Sequence, residues 1–177
     1  MWAWGSNALG QLGDGTTVDR HSPVKAQGLD QVVSVAAGYV HSAAVRADGS
    51  VWTWGYNGFG QLGDGTTADR ALPGPVAALA GAAAVASGYH HVVAALADGT
   101  VAAWGHNGFG QVGDGSTTDR HAPVAVGLAS VSAVTAGGFG SLAARTDATV
   151  ATWGYNAYGQ LGHATTADAH APTAAPA

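Results

Sequence analysis

The chain has 177 residues, of which 47% are hydrophobic and only 10% are charged, and this balance excludes a largely disordered polymer. Its formal net charge is −5 with 6 lysines and arginines in total, so the sequence offers no basic stripe for a nucleic-acid backbone. Cysteine is absent, which excludes disulfides, thiolate zinc ligands and a thiol nucleophile.

The same sequence leaves the cellular compartment open. It has no run of about 18 consecutive apolar residues, so we expect no membrane-spanning helix. The first residues, Met1 to Gly5, have neither the basic nor the apolar region of a secretory signal. The localisation is therefore unknown: cytoplasmic, or secreted as part of a longer protein.

One unit recurs along the chain. A Trp-Gly pair returns at intervals of 50, 50 and 49 residues, and the tryptophans are Trp4, Trp54, Trp104 and Trp153. Periods of this length are typical of propeller blades and solenoid turns. We therefore treat residues 1–177 as a single repeat domain with units 1–50, 51–100 and 101–149 and a partial unit, 150–177. The four tryptophans are predicted to be equivalent packing residues.

Each unit is predicted to be all-β. Val32–Ala36 is a short apolar run of the kind that forms a buried strand. His41–Ala47 and Val51–Trp54 follow, joined by Asp48-Gly49, and this pattern predicts a hairpin with a type I′ turn. The third unit has Asp147-Ala148 instead, which predicts a strained turn because alanine tolerates a positive φ poorly.

A fourth, outer strand is predicted after the proline of each unit, because proline is tolerated at a strand start. These prolines are Pro23, Pro73 and Pro123. Before each proline comes a long Gly-rich loop, represented by Tyr56–Arg70. Its repetition predicts an organised loop, with Leu62 in the seam between units and Asp69 paired with the backbone or with Arg70.

These residues carry a family resemblance. The pattern Val-x-x-Trp-Gly-x-Asn-x-Phe-Gly-Gln-Leu-Gly-Asp-Gly, then proline, then Ala-x-Gly-x-x-His and Asp-Gly closely resembles the regulator of chromosome condensation repeat. The resemblance implies four-stranded antiparallel blades around an axis, seven in the typical member. The later units depart from the pattern, with Gly140 at the His41 position, His163 at the Asp14 position and Ala169 at the Arg20 position.

The number of units predicts an incomplete β-propeller. Grouping strands from proline to Trp-Gly gives three groups, Pro23–Gly55, Pro73–Gly105 and Pro123–Gly154, with one strand left over at each end. Two such chains are not expected to complete one propeller, because each seam would lack two middle strands. We therefore expect an open arc that is either a fragment of a longer propeller or self-associates through its ends.

Four candidate sites are set aside in favour of structural roles. The Gly-Gln-Leu-Gly-Asp-Gly run lacks the Lys-Ser/Thr of a phosphate loop. Asp64, Thr66, Thr67 and Asp69 are oxygen donors of the type that calcium takes, but turn capping explains them better. His41 and His91 are predicted to make structural hydrogen bonds rather than to bind zinc. No unit supplies a unique Ser, His and acid, so we assign no catalytic, cofactor or metal residues.

The positions that vary between units point to binding. Aromatic and imidazole side chains follow the Trp-Gly pairs and the strand-ending glycines, where a rigid sheet would present them on loops. The candidate partner-binding residues are Tyr39, Tyr89, His90, Phe139, Tyr56, His106 and Tyr155. Packing between blades is the equally weighted alternative for Tyr39, Tyr89 and Phe139, and packing is favoured for Phe59, Phe109 and Tyr158.

The leading hypothesis is a protein-interaction scaffold that binds another macromolecule through its loop face. The alternative is a small-molecule or glycan-binding module with Trp and Tyr as stacking faces, and a hydrolase is third. We expect a protein partner, no nucleic acid, no membrane and no cofactor. The resemblance implies nucleotide exchange on a small GTPase as one family role, but near-uniform periods leave no room for an inserted loop.

Overall fold

The computed structural model describes residues 1–175 as an all-β protein. Its strands are β1 (Trp2–Gly5), β2 (Arg20–Lys25), β3 (Val32–Ala37), β4 (His41–Arg46), β5 (Val51–Gly55), β6 (Arg70–Pro75), β7 (Ala82–Ser87), β8 (His91–Leu96), β9 (Val101–Gly105), β10 (Arg120–Ala125), β11 (Val131–Gly137), β12 (Gly140–Arg145), β13 (Val150–Gly154) and β14 (Ala169–Ala174). Within this range, nothing helical has the length and hydropathy of a membrane span.

The strands form antiparallel sheets in chain order. Strands β3 to β6, β7 to β10 and β11 to β14 make three four-stranded blades, and β1 and β2 make a two-stranded sheet. The core lies between neighbouring blades: Val45 and Val51 of one blade pack with Val85, Val92 and Trp104 of the next. Because both faces of the middle strands are covered, β4 and β8 are buried along most of their length rather than at alternate residues. The incomplete propeller predicted from the sequence is confirmed.

The predicted grouping of strands from proline to Trp-Gly is wrong. The strand that contains Pro73 pairs with the preceding Trp-Gly strand, with Thr53 opposite Gly74 and Gly55 opposite Arg70. It is therefore the last strand of its blade, and proline lies inside it, where the register shifts, rather than at its start. The long loop returns the chain onto the same blade, and the segment after the proline strand crosses to the next one.

This pairing changes which strands the arc lacks. The strand after Pro172 completes the third blade, because β14 pairs with β13. Strands β1 and β2 pair with each other and correspond to the third and fourth strands of a blade. Within residues 1–175, the strands missing from the arc are thus the inner two of the N-terminal sheet.

The Asp-Gly turns form tight hairpins, but not of the predicted type. Gly49 has a φ of 78°, whereas Asp48 is not in the positive-φ region, so the turn is not type I′. The Gly49 N–H bonds to the Arg46 carbonyl at 2.8 Å, and Asp48 Oδ1 accepts from the Ser50 N–H at 2.9 Å. A three-residue loop that ends in a left-handed glycine fits this pattern. Ala148 takes the glycine position with a φ of 66°, as expected for a strained turn.

Candidate protein-binding surface

Two loops of each blade reach the same face of the arc. In a four-stranded meander, the turn between strands one and two and the loop between strands three and four lie at one end. The Asp-Gly turns lie at the other end. The first blade places Tyr39 in its short turn and Tyr56 and Phe59 in its long loop. The sequence therefore brings its variable aromatic positions to one face.

On this face the rings form one connected cluster, which we call the aromatic belt. Its members are Tyr39, Tyr56, Phe59, Tyr89, His90, His106, Phe109, Phe139, Tyr155 and Tyr158. It contains all seven residues singled out from the sequence and the three that were assigned to packing. Centroids of contacting rings lie 4.8 to 6.5 Å apart.

The belt combines buried and exposed rings. Phe59 lies between His90 and His106, with centroids 5.1 and 4.8 Å away, and fills the gap between blades. Tyr158, Tyr39 and Tyr89 are 87%, 71% and 48% exposed. The half-buried phenylalanines thus support a surface that the tyrosines present to solvent. Tyr158, which the sequence suggested as a packing residue, is the most exposed ring of the three.

The belt is fixed by the backbone beneath it. The Tyr39 N–H donates to the Tyr89 carbonyl at 3.2 Å, and the Tyr89 N–H donates to the Gly138 carbonyl at 2.9 Å. These bonds tie the short turns of three successive blades together. A cavity of about 330 Å³ opens between them, lined by Tyr39, Tyr89 and Gly138 among others.

The two histidines of the belt have different surroundings. Burial, with a smaller contribution from nearby His106, lowers the pKa of His90 below its usual value. Gln111 Nε2 lies 2.5 Å from His106 Nδ1, and because an amide nitrogen donates, this ring nitrogen accepts. Burial thus disfavours the charged form of His90, whereas His106 makes a polar contact at the edge of the belt.

A buried asparagine organises each long loop. Asn57 is fully buried, and its Nδ2 donates to the carbonyls of Thr66 and Ala68 at 3.0 and 3.1 Å. Its Oδ1 accepts from the Leu62 N–H at 2.9 Å, and its own N–H donates to Asp69 Oδ1 at 2.7 Å. We assigned this asparagine no role from the sequence. Its recurrence at the same offset in all four units was the available signal.

The organised loop docks on the next blade. Trp54 Nε1 donates to the Gln11 carbonyl at 2.8 Å, and Trp104 and Trp153 make the same bond to Gln61 and Gln111 at 2.9 Å. These three tryptophans are fully buried, and Leu62 is buried beside the joint. Trp4 is 64% exposed, so the predicted equivalence of the four tryptophans is wrong.

The repeated joint and loop match a known unit. The Regulator of chromosome condensation (RCC1) repeat matches residues 1–45, 48–95, 98–144 and 147–177. A second RCC1 repeat description matches residues 32–61 and 82–111. The chain belongs to the RCC1 repeat family.

Solved structures share this fold. Human WBSCR16 is 27% identical with a TM-score of 0.84 over 99% of this chain and 47% of that protein. Yeast RCC1 (Prp20) bound to Kap60 is 23% identical with a TM-score of 0.84, over 99% of this chain and 44% of that one. Prp20p from Saccharomyces cerevisiae, described with its binding to Gsp1p and histones, is 24% identical with a TM-score of 0.85, over 99% and 46%. The chain thus spans less than half of each.

The acidic residues of the RCC1 loops are engaged within the loops. Asp14 accepts from Arg20 Nε at 2.8 Å and from the Thr16 hydroxyl at 2.7 Å. Burial raises the pKa of Asp14, but hydrogen bonds from Thr16, Arg20 and Asn7 outweigh it and lower the pKa to about 2. Asp64 accepts from Thr66 in the same way, which is the capping role expected of the candidate calcium oxygens. Asp69 bonds to the backbone, while Arg70 lies 3.3 Å from Asp64.

Two buried histidines lie between the blades. His91 Nε2 is 2.9 Å from Ser141 Oγ, and Ser141 Oγ is 2.8 Å from the Gln111 carbonyl. The serine has one proton, which it donates to the carbonyl, so His91 must donate to the serine. That polarity is opposite to the one that activates a nucleophilic serine. Burial lowers the pKa of both His41 and His91 to about 3, so both are neutral.

The histidine of the first blade has a different neighbour. His41 corresponds to His91, but Val92 occupies the position that Ser141 occupies in the next blade. Within the described residues, neither ring nitrogen of His41 has a hydrogen-bond partner. A structural hydrogen bond was predicted for both histidines. The structure contains it for His91 and lacks it for His41, because valine cannot accept or donate.

Proposed function

We propose that this chain is a protein-interaction scaffold that binds a protein partner with its aromatic belt. The observation that carries the proposal is the belt itself: ten connected rings on one face, anchored by backbone bonds, with three tyrosines exposed to solvent. Exposed aromatic residues on a rigid support are the usual anchors of protein interfaces, because they add contact area while losing little entropy.

The charge distribution supports an apolar anchor. The belt consists of tyrosine, phenylalanine and histidine rings, and burial lowers the pKa of His90, which disfavours its charged form. A partner would therefore place apolar or aromatic side chains over Tyr39 and Tyr89, and the cavity of about 330 Å³ between their turns would receive one of them. Polar contacts to the tyrosine hydroxyls would set the orientation.

Similar structures are compatible with such a role. The yeast RCC1 protein Prp20 is described in complex with Kap60, and Prp20p with binding to Gsp1p and histones. Those interactions belong to those proteins, and at 23% and 24% identity the likeness to this chain concerns the fold. They support the choice of protein, rather than a small metabolite, as the partner class.

Ring orientation weighs against the glycan-binding alternative. Contacting rings of the belt meet at 43° to 89°, in tilted or edge-to-face arrangements. Sugars stack on free, flat ring faces, which this tilted packing partly covers. The glycan hypothesis is kept as an outcome of the experiment.

Site-specific photo-crosslinking tests the proposal. A photoreactive phenylalanine analogue replaces Tyr39 or Tyr158, and as a control it replaces Val33, which is 62% exposed at the other end of β3 and about 20 Å from Tyr39 by strand length. The three proteins are irradiated in a soluble lysate of the source cells. We expect the same protein adduct from both belt positions and not from Val33. Equal adducts from Val33, or stabilisation of the unmodified chain by a glycan panel without any belt adduct, would reject the proposal.

A further inference from the structure

Two hydrogen bonds at the joint between blades go to the third and fourth strands of the receiving blade, and a further one, from the Ser42 hydroxyl to the Gln11 carbonyl, goes to its second strand. The long loop of one unit presents the Gln11 carbonyl to Trp54 on the third strand, at 2.8 Å. The same loop donates the Gly15 N–H to the Ala71 carbonyl on the fourth strand, at 3.1 Å. The next joints repeat the second bond, from Gly65 to His121 at 2.8 Å and from Gly115 to His170 at 2.9 Å.

Glycines make this close approach possible. A Cβ added at Gly10 would lie 2.5 Å from the Ala71 backbone, and one at Gly13 would lie 2.8 Å from the Trp54 indole nitrogen. Both glycines also have positive φ, 77° and 74°. The loop is therefore shaped to lie flat on a third and a fourth strand.

The N-terminal sheet offers the receiving half of this joint. It consists of a third and a fourth strand, β1 and β2, as shown by the pairing of Ala3 with Val24. Trp4, at the Trp54 position, is 64% exposed, whereas Trp54 is fully buried. His21, at the Ala71 position, is also exposed. Within residues 1–175, no loop covers these two residues.

The C-terminal loop offers the docking half. Asn156 organises it as Asn57 does its own loop, accepting from the Leu161 N–H at 2.9 Å. Gly159 and Gly162 keep positive φ, 74° and 75°, in line with Gly10 and Gly13. An added Cβ at Gly162 would meet nothing within 4 Å of it in the described structure, and Gln160 is exposed. The loop is therefore formed and uncovered.

We propose that copies of this chain join head to tail through these two halves. The Gln160 carbonyl of one copy accepts from Trp4 Nε1 of the next, and the Ala164 N–H donates to the His21 carbonyl. The three internal joints serve as the template, so no new type of contact is needed. The two inner strands that the N-terminal sheet lacks take no part in either of these bonds.

The missing inner strands leave a gap rather than a clash. A cavity of about 410 Å³ lies where they would pack, lined by Trp2, Trp4, Val35 and Tyr39 among others. The seam is thus weaker than an internal joint, because Ser42, which also donates to Gln11, has no counterpart on β1 or β2. Since the two surfaces differ, the contact is heterologous and either closes a ring or extends a chain.

Sedimentation of the 177-residue protein over a wide concentration range tests association. We expect the mean mass to rise with concentration, and Trp4→Ala to weaken the association by about tenfold or more, as for a buried interface tryptophan. Trp2→Ala is the matched control. Trp2 is 63% exposed on the same strand, and its counterpart Trp52 bonds to Ser50 within its own blade rather than to a preceding loop.

Disulfide crosslinking tests the head-to-tail orientation of the copies, since the chain has no cysteine of its own. His21→Cys and Ala164→Cys variants are oxidised separately and as a mixture. The proposal predicts a disulfide-linked heterodimer in the mixture and little linkage in either variant alone. A strictly monomeric protein, equal effects of Trp4→Ala and Trp2→Ala, or linkage mainly within one variant would overturn it.

Discussion

Trp104 Nε1 donates a hydrogen bond to the carbonyl of Gln61, a residue 43 positions earlier in the chain, at 2.9 Å. This bond joins a blade to the loop of the preceding one, and its counterparts are Trp54 with Gln11 and Trp153 with Gln111. Each indole is fully buried in the seam, so it contributes both packing and a specific polar contact. Blade stacking therefore depends on the Trp-Gly motif.

The first prediction compares two tryptophans at equivalent positions. Trp54→Ala should lower the free energy of unfolding by roughly 3–5 kcal/mol, because it leaves a large cavity and removes one of the two hydrogen bonds to the Gln11 carbonyl. Trp4→Ala should lower it by less than about 1 kcal/mol in dilute solution, because Trp4 is 64% exposed. Urea denaturation followed by circular dichroism measures both. Similar losses in the two variants would contradict the joint.

The second prediction concerns the buried histidines. Val92→Ser should give His41 the hydroxyl partner that His91 has in Ser141, and should be about 1 kcal/mol more stable than Val92→Ala, which loses similar packing without gaining a hydroxyl. Ser141→Ala should lower stability by about 1–3 kcal/mol, because it leaves a His91 ring nitrogen without its partner. Both variants are needed for the test. A Ser141→Ala protein as stable as the parent would show that the His91–Ser141 hydrogen bond does not contribute to stability.

The third prediction is a pH dependence of stability. Burial lowers the pKa of His41 and His91 to about 3, from an ordinary value of 6.5. Below pH 6.5 the unfolded chain binds protons at these positions and the folded chain does not. Stability is therefore fully present above that pH and is lost as the pH falls towards 3, by at most about 1.4 kcal/mol per pH unit for each histidine.

Replacing the two histidines separates this effect from acid denaturation in general. The double variant His41→Gln and His91→Gln should have a flatter stability profile between pH 6.5 and 4, whatever its absolute stability. Asp14 acts at lower pH, since its pKa is lowered from 3.8 to about 2 and its contribution to stability is lost mainly below pH 4. An unchanged slope in the double variant would assign the pH dependence to other groups.

The fourth prediction addresses the strained turn of the third blade. Ala148 has a φ of 66°, where Gly49 and Gly99 have 78° and 82°. Ala148→Gly should therefore raise stability by up to about 1 kcal/mol, the usual gain when strain at a left-handed position is removed. Gly49→Ala is the reciprocal control and should be destabilising. The melting temperatures of both variants check this. A lower melting temperature for Ala148→Gly, or a higher one for Gly49→Ala, would show that the turn is not strained.

The sequence predicted the architecture well because the repeat is visible in it. The period, the Asp-Gly turns and the apolar runs are local signals, and they located the strands and the incomplete propeller. The membership of the proline strand was mispredicted, since Pro73 fits both the start of one blade and the end of another in the linear sequence. Only the pairing of Thr53 with Gly74 decides between them.

The candidate surface was partly predictable for the same reason. Variable aromatic positions on loops singled out Tyr39 and Tyr89, but their contact depends on how adjacent blades stack. The hydrogen bond from the Tyr39 N–H to the Tyr89 carbonyl spans two units. The exposure of Trp4 was not predicted, because the four tryptophans occupy the same position of the repeat. Their burial depends instead on whether the loop of a preceding unit packs on them.

The most direct test of the central proposal is to measure how tightly a belt variant binds the protein partner identified by crosslinking. Tyr39, Tyr89 and Tyr158 are replaced by serine together, which leaves the half-buried rings in place, and Val33→Ser is the matched control on an exposed residue. Isothermal titration calorimetry should give at least about a tenfold weaker Kd for the triple variant, with Val33→Ser within about twofold of the parent. A triple variant that remains folded and binds as tightly as the parent would contradict the assignment of the belt as the binding surface.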